Sequence, residues 1–282
     1  MRGLTALIFL FSVLQGFSQT LLPAGQHQDE TVLYAMNKQV NQFVRRFNME
    51  EDKFGKPLKP TDADYHNNKL RKKILPLMFD VHNPRTSGKL KKFFIDDVTN
   101  PKHPVFLNFL DKNWYAEVSA TFYNRYNDPV DLIIFLTLEK AGQGSKWIIS
   151  NVYDTDLHRL FPVESTEKQA KYFLHPQSHE LDFMNLRKAL NNPENIEYYA
   201  STGFQPDYLS LFFYLMKKGD LKFGQINKVK FHFLQIKNWY FELSWFNRNE
   251  NNSGWLISNL KYIDENEKSE LIKFYRSCST DQ

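Results

Sequence analysis

Apolar residues fall on two different periods along this chain, and the change from one to the other divides it. From Asp29 to Asn48, Val32, Met36, Val40, Phe43, Val44 and Phe47 recur every three or four positions, which predicts one buried stripe of a helix. A second helical pattern carries Leu70, Ile74, Leu77 and Met78, with Pro76 forcing a kink or an early turn. Asn83 to Gly88 reads as a loop, and Lys89 to Val98 as a mixed segment. The period then becomes that of strands, at Val105 to Phe109, Trp114 to Tyr123, Leu132 to Leu138 and Trp147 to Tyr153. In Trp114 to Tyr123 one face carries Trp114, Ala116, Val118, Ala120 and Phe122. The other carries Tyr115, Glu117, Ser119, Thr121 and Tyr123, so a core side and a wetter side are expected.

The order of helices and then strands occurs again. Helices are predicted near Ser165 to Leu174, Leu181 to Leu190, Ile196 to Ser201 and Asp207 to Lys218, the last closed by a basic end and Gly219. Strands follow at Ile226 to Ile236, Trp239 to Phe246 and Trp255 to Tyr262. Lys112-Asn113-Trp114-Tyr115-Ala116-Glu117-Val118-Ser119 returns as Lys237-Asn238-Trp239-Tyr240-Phe241-Glu242-Leu243-Ser244. Ser145 to Val152 returns as Ser253 to Leu260. Two paired similarities in the same order imply a duplication. The tryptophans are 33 positions apart in the first copy (147 minus 114) and 16 in the second (255 minus 239), so the second copy lacks about one strand and its turn.

Asn113 to Val118, Lys146 to Val152 and the helix residues Phe43 to Asn48 resemble exported, uncharacterised bacterial proteins with the nuclear transport factor 2-like, cystatin-like cone fold. The resemblance implies an α+β fold of two tandem units, each with helices packed on a curved antiparallel sheet, the second sheet shorter. It implies residues 20–160 as the first domain and 161–282 as the second, reduced one. It carries over no catalytic residue.

Met1-Arg2, an apolar run from Leu4 to Leu14 and Gly16 to Gln19 have the order of a secretory signal peptide, residues 1–19. Export to the periplasm or the extracellular space is therefore expected, with 263 residues remaining (282 minus 19) and no transmembrane segment after signal removal. Cys278 is the one cysteine, which excludes an intrachain disulfide and leaves stability to apolar burial. A net charge of +4, with basic runs at Lys69 to Lys73 and Lys89 to Lys92 that lack aromatic interleaving, argues against nucleic-acid binding.

Candidate chemistry is sparse. Trp114, Trp147, Trp239 and Trp255 are assigned to the structural repeat, as core. Glu117 and Glu242 occupy equivalent positions. Tyr115, Glu117 and Tyr123 are the candidate pocket residues, the groups from which an acid or base would come. Asp154, Asp156 and His158 alternate, which an extended backbone would aim to one side of a cation, and His175 and His179 stand four apart but are interrupted by Pro176. Neither set has a metal-site spacing, and no metal or cofactor is assigned. Gly142 to Lys146 reads as a hairpin turn, not a phosphate loop, and Asp96 and Asp97 as diverging acids. The reading is a non-catalytic exported binding or scaffold protein for an unknown protein or small-molecule ligand. Its alternative is a small-molecule lyase, isomerase or hydrolase using a pocket in the first cone.

Overall fold

The computed structural model describes residues 40–52, 55–142, 144–161, 190–191, 193–201, 204–248 and 252–276. The signal segment, the first part of the opening helix, the predicted helices over 165–174 and 181–189, His175, His179 and Cys278 lie outside the described residues.

Helix α1, helical over 40–48, turns Val40, Phe43, Val44 and Phe47 inward, as its spacing predicts. Helix α2 (Asn68–Ile74) starts on Asn67, whose side chain accepts from the Lys69 and Leu70 amides, and gives way to a 3-10 turn at Leu75–Met78 where Pro76 removes a donor. Lys89 to Val98 is not mixed structure: it lies in helix α3 (Gly88–Val98), whose Phe94, Ile95 and Val98 are buried. Val105 to Phe109 is a loop rather than a strand. At its centre one side chain satisfies the backbone of Leu107: Asn48 donates from Nδ2 to the Leu107 carbonyl (2.7 Å) and accepts from the Leu107 amide (2.8 Å).

Six strands follow among the described residues: β1 (Trp114–Asn124), β2 (Pro129–Ala141), β3 (Gly144–Tyr153), β4 (Leu221–Phe233), β5 (Trp239–Phe246) and β6 (Gly254–Tyr262). Between β3 and β4 lie α4 (Thr155–Leu160), a 3-10 stretch at Pro193–Tyr199 and α5 (Tyr208–Lys218). Asp207 caps α5 through the Leu209 and Ser210 amides, and Gly219 ends it in the left-handed region at φ +78. Helix α6 (Glu265–Arg276) closes the described chain.

All six strands join one antiparallel sheet in the order β3-β2-β1-β4-β5-β6. This corrects the expectation of a separate sheet in each half. Strand β1 pairs along its length with β4, so the halves meet at the middle of a shared sheet. The two similar strands of the first copy, β1 and β3, lie on either side of β2 and run the same way. Their counterparts β5 and β6 are hydrogen-bonded neighbours and run in opposite directions. Dropping one strand from a meander reverses the direction of everything after it. The asparagine of the repeat has its own reason: Asn113 and Asn238 both sit at positive φ (66 and 61) one residue before a strand. Their carbonyls accept from the Leu234 and Ile263 amides.

One sheet face packs on α1, α2, α3 and α5. Its core runs from Phe43, Phe47 and Phe94 to Trp114, Phe231, Phe233, Trp239, Phe241 and Trp255, and Trp147 packs against it half-buried. Phe233 and Phe241 stack at 4.8 Å, and Trp114 stacks on Phe233 at 5.0 Å. The opposite face is partly covered by α6, through Tyr275 against Tyr115 and Phe135. Helix α6 opens on a reciprocal cap. Asp264 Oδ1 accepts from the Glu267 amide (2.8 Å), and Glu267 Oε2 accepts from the Asp264 amide (2.9 Å). Asp264→Ala is expected to lower stability by about 1 kcal/mol. Urea unfolding checks this, and an unchanged midpoint would mean that tertiary contacts alone hold α6.

Among the described residues no helix is long and apolar enough to cross a membrane.

Candidate functional site

The α6 side of the sheet carries a chain of polar groups, and the sequence repeat builds it. Strands β1 and β5, the two copies of Asn-Trp-Tyr, flank β4 on its two edges. Tyr115 and Glu117 stand opposite His232 and Lys230 on one side, while Glu242 and Ser244 stand opposite the same two residues on the other. Alternation sends all six to one face.

His232 is buried at the centre. Its Nε2 lies 2.8 Å from Glu117 Oε2, and its Nδ1 lies 2.8 Å from the Tyr240 hydroxyl. That hydroxyl donates to Glu242 Oε1 (2.8 Å), which also accepts from Asn259 Nδ2 (2.8 Å). The Glu117 carboxylate is an acceptor only, so Nε2 is the ring nitrogen placed to donate to it. Lys230 Nζ reaches both acids, 3.3 Å from Glu117 and 3.9 Å from Glu242. Burial pushes the Glu117 carboxyl up, but the hydrogen bond and charge of His232, with Lys230, more than offset it and hold it below the usual glutamate value. Glu242 is lowered in the same way, burial being outweighed by Asn259, Tyr240 and the two cations. Burial raises the hydroxyls of Tyr240, Tyr275 and Tyr115.

Helix α6 is fastened over this chain. Ser150 donates to the Tyr275 carbonyl (2.7 Å), Asn151 to the Phe274 carbonyl (2.6 Å), and Arg276 Nε to the Tyr115 hydroxyl (3.1 Å). The Ser-Asn pair of the repeat thus does two jobs. Ser150 and Asn151 satisfy the end of α6, while Ser258 meets Ser244 and Asn259 meets Glu242.

Of the three candidate pocket residues, the structure brings Tyr115 and Glu117 into this chain and leaves Tyr123 out. Tyr115 is fully buried against Tyr275. Tyr123 is 38% exposed and lies across Gly224, where an added Cβ would come within 2.7 Å of its ring. None of the three faces the interior between the sheet and α1 to α3, where the sequence expectation placed a pocket. Sequence reasoning missed His232, Lys230 and Tyr275. A charged residue alternating with phenylalanines in Lys230-Phe231-His232-Phe233 was the available signal.

The remaining candidates serve local structure. Asp154 to His158 is not extended: Asp154 precedes α4 and accepts from the Leu157 amide, and His158 stacks on Tyr208 at 4.0 Å. Asp97 accepts from Trp239 Nε1 (2.8 Å) while Asp96 pairs with Lys72, so the two acids diverge. Gly142, at φ +58, turns β2 toward β3. Among the described residues no group of three histidine, cysteine, aspartate or glutamate side chains is placed to hold a metal ion.

A second location is open. Between α1, the Leu75–Met78 turn and the far end of the β5–β6 hairpin lies a cleft of about 580 Å³. Phe43, Leu77, Met78, Trp245 and Trp255 form its apolar walls, and Gln42, Arg46, Glu51, Asp52, Asn247 and Ser253 its polar lining. Glu51 is only 2% exposed. Gln42 Nε2 (2.8 Å) and Arg46 Nε (3.1 Å) donate to one of its oxygens, and Arg45 Nε lies 3.6 Å from the other.

No family model, no curated protein and no solved structure matches this chain.

Proposed function

We propose that this is an exported, non-catalytic binding protein of the bacterial periplasm or cell surface. Its sheet belongs to the nuclear transport factor 2-like, cystatin-like type, and it takes a small molecule in the cleft between α1 and the β5–β6 hairpin. The observation that carries this reading is the cleft itself: aromatic walls joined to one cluster of polar side chains, in a volume of about 580 Å³. That size lies within the range of roughly 300–1,000 Å³ for small-molecule sites, and the lining has their usual make-up. Two further facts support binding over turnover. The interior between the sheet and α1 to α3 is filled by packed aromatic rings, among them Phe43, Phe47, Phe94, Phe233 and Phe241. The Glu117–His232–Tyr240–Glu242 chain spends its hydrogen bonds on itself.

A ligand seated in the cleft stabilises the folded state by mass action, by about 2.7 kcal/mol at a hundred times its dissociation constant. Thermal-shift screening of metabolite-sized compounds is expected to find one that raises the melting temperature of the native protein but not of the Trp245→Ala variant. A screen with no such compound overturns the assignment.

A further inference from the structure

The identity of the ligand follows one step further from the same cleft, and this step rests on its being a binding site. We propose that the cleft takes a neutral saccharide.

Charge comes first. The charges at the head of the cleft are balanced: Glu51 accepts from Arg46 and from the Gln42 amide and lies beside Arg45, and Asp52 supplies a second carboxylate to set against the two arginines. Opposite charges at this range cancel most of each other's field. An ionised ligand would have to displace a partner already in place to gain a contact, so the site selects for a ligand without net charge.

Hydrogen-bonding type comes next. Gln42, Asn247 and Ser253 each carry a donor and an acceptor, Arg46 donors alone and Asp52 acceptors alone, while the Glu51 carboxylate is taken up by Gln42, Arg46 and Arg45. A mixed lining of this kind is matched by groups that donate and accept at once, and hydroxyls do so at every orientation. An alkyl chain laid against this end would leave buried polar groups facing methylenes, at the desolvation cost of each.

The walls complete the selection. Trp245 and Trp255 meet at 67° with ring centroids 5.7 Å apart, and Phe43 lies on the α1 side. Flat, polarisable faces set beside a polar cluster suit a ring with apolar C–H faces and hydroxylated edges. Trp245 is half-buried, so part of its surface remains available to a ligand, whereas Trp255 is seated in the core.

The test is titration of the full chain with three neutral disaccharides, maltose, cellobiose and N,N′-diacetylchitobiose, and with decanoate as an amphipathic acid. Tryptophan fluorescence and calorimetry serve as readouts. At least one disaccharide is expected to bind saturably and to perturb tryptophan emission. Trp245→Ala should weaken it by about tenfold or more, the loss of one aromatic contact. The melting temperature of the variant shows that it is folded. Saturable binding of decanoate alone overturns the saccharide and leaves the cleft as a binding site. Disaccharide binding that Trp245→Ala does not weaken places the saccharide elsewhere and overturns its assignment to this cleft, which the thermal-shift screen then decides independently. Binding of none of the four overturns the saccharide, and the broader thermal-shift screen then decides the cleft independently.

Discussion

Replacing Arg71 by methionine is expected to lower stability by about 3–5 kcal/mol, the largest effect of any single substitution considered for this chain. Arg71 is fully buried and works as a clamp, with no carboxylate partner among the described residues. Its Nε donates to the Phe47 carbonyl (2.9 Å), Nη1 to the Val98 carbonyl (3.1 Å) and Nη2 to the Val105 carbonyl, with Asn68 on Nη1 as well. Phe47 and Val98 stand at the C-terminal ends of α1 and α3, where helix dipoles favour a cation. The guanidinium is also stacked, 4.5 Å from the centroid of Phe106 and 5.3 Å from that of Phe47. Burial pushes its pKa down to about 10, still far above neutrality, so the charge remains. Methionine fills similar space but strands the Phe47 and Val105 carbonyls, at roughly 1–3 kcal/mol each, while the Val98 carbonyl keeps the Val105 amide; relief of the guanidinium's own desolvation offsets part of the loss. Lysine keeps the charge without the planar fork and should recover only part of the loss. Urea unfolding measures both, provided the denaturant slope is unchanged. A methionine variant within 1 kcal/mol of the native protein, a margin well below the expected loss, would show that water or backbone movement replaces the clamp.

Glu117→Gln is expected to cost about 2 kcal/mol at pH 7, and the cost should vanish in acid. The sign follows from the direction of the shift. The folded carboxyl is held below the ordinary value of 4.5, burial being outweighed by His232 and Lys230, so the folded state binds this proton less readily than the unfolded chain. Its contribution is complete above about pH 4.5 and is lost as the pH falls through the lower folded value. Unfolding free energies of native and variant protein at pH 7 and pH 3 give the difference directly. A gap that persists unchanged at pH 3 would assign the loss to packing rather than to the charged hydrogen bonds.

Much of the fold was legible because it is written locally. The alternation in Trp114 to Tyr123 and Trp239 to Phe246 marks β1 and β5, and Asp207 with Gly219 marks both ends of α5. Local patterns failed where a different partner supplied the missing interaction. Val105 to Phe109 looks like a strand, yet the Asn48 side chain makes the hydrogen bonds that a neighbouring strand would have made for Leu107. Lysines at 89, 91 and 92 obscured the Leu90, Phe94 and Val98 stripe of α3, although their long stems lie easily along apolar surface. Helix α6 was missed by the sequence reading, although Asp264 and Glu267, a capping pair three residues apart, were the available signal.

The polar chain was half legible. Equivalent places for Glu117 and Glu242 in the repeat pointed to related roles, but no periodicity says which strand lies between two copies. That β4 does, and that it brings His232 and Lys230 to both acids, is a property of strand order. The cleft was least legible. Phe43, Glu51, Trp245 and Trp255 come from separate elements, and each alone reads as core or surface.

The ladder between β1 and β4 also governs how the chain reaches this structure. It pairs Trp114 with Phe233 and Asn124 with Leu221, separations of 119 and 97 residues, whereas β1 to β3 and β4 to β6 each connect through short turns. Closing so long a loop adds little to the equilibrium cost, which grows only with the logarithm of length, but contacts of high sequence separation slow folding. Each three-stranded meander can form early from neighbouring segments. Their joining is expected to be the slow event, with the β1 and β4 edges open until then and each able to pair with another copy of the chain; a refolding rate that falls as protein concentration rises checks this.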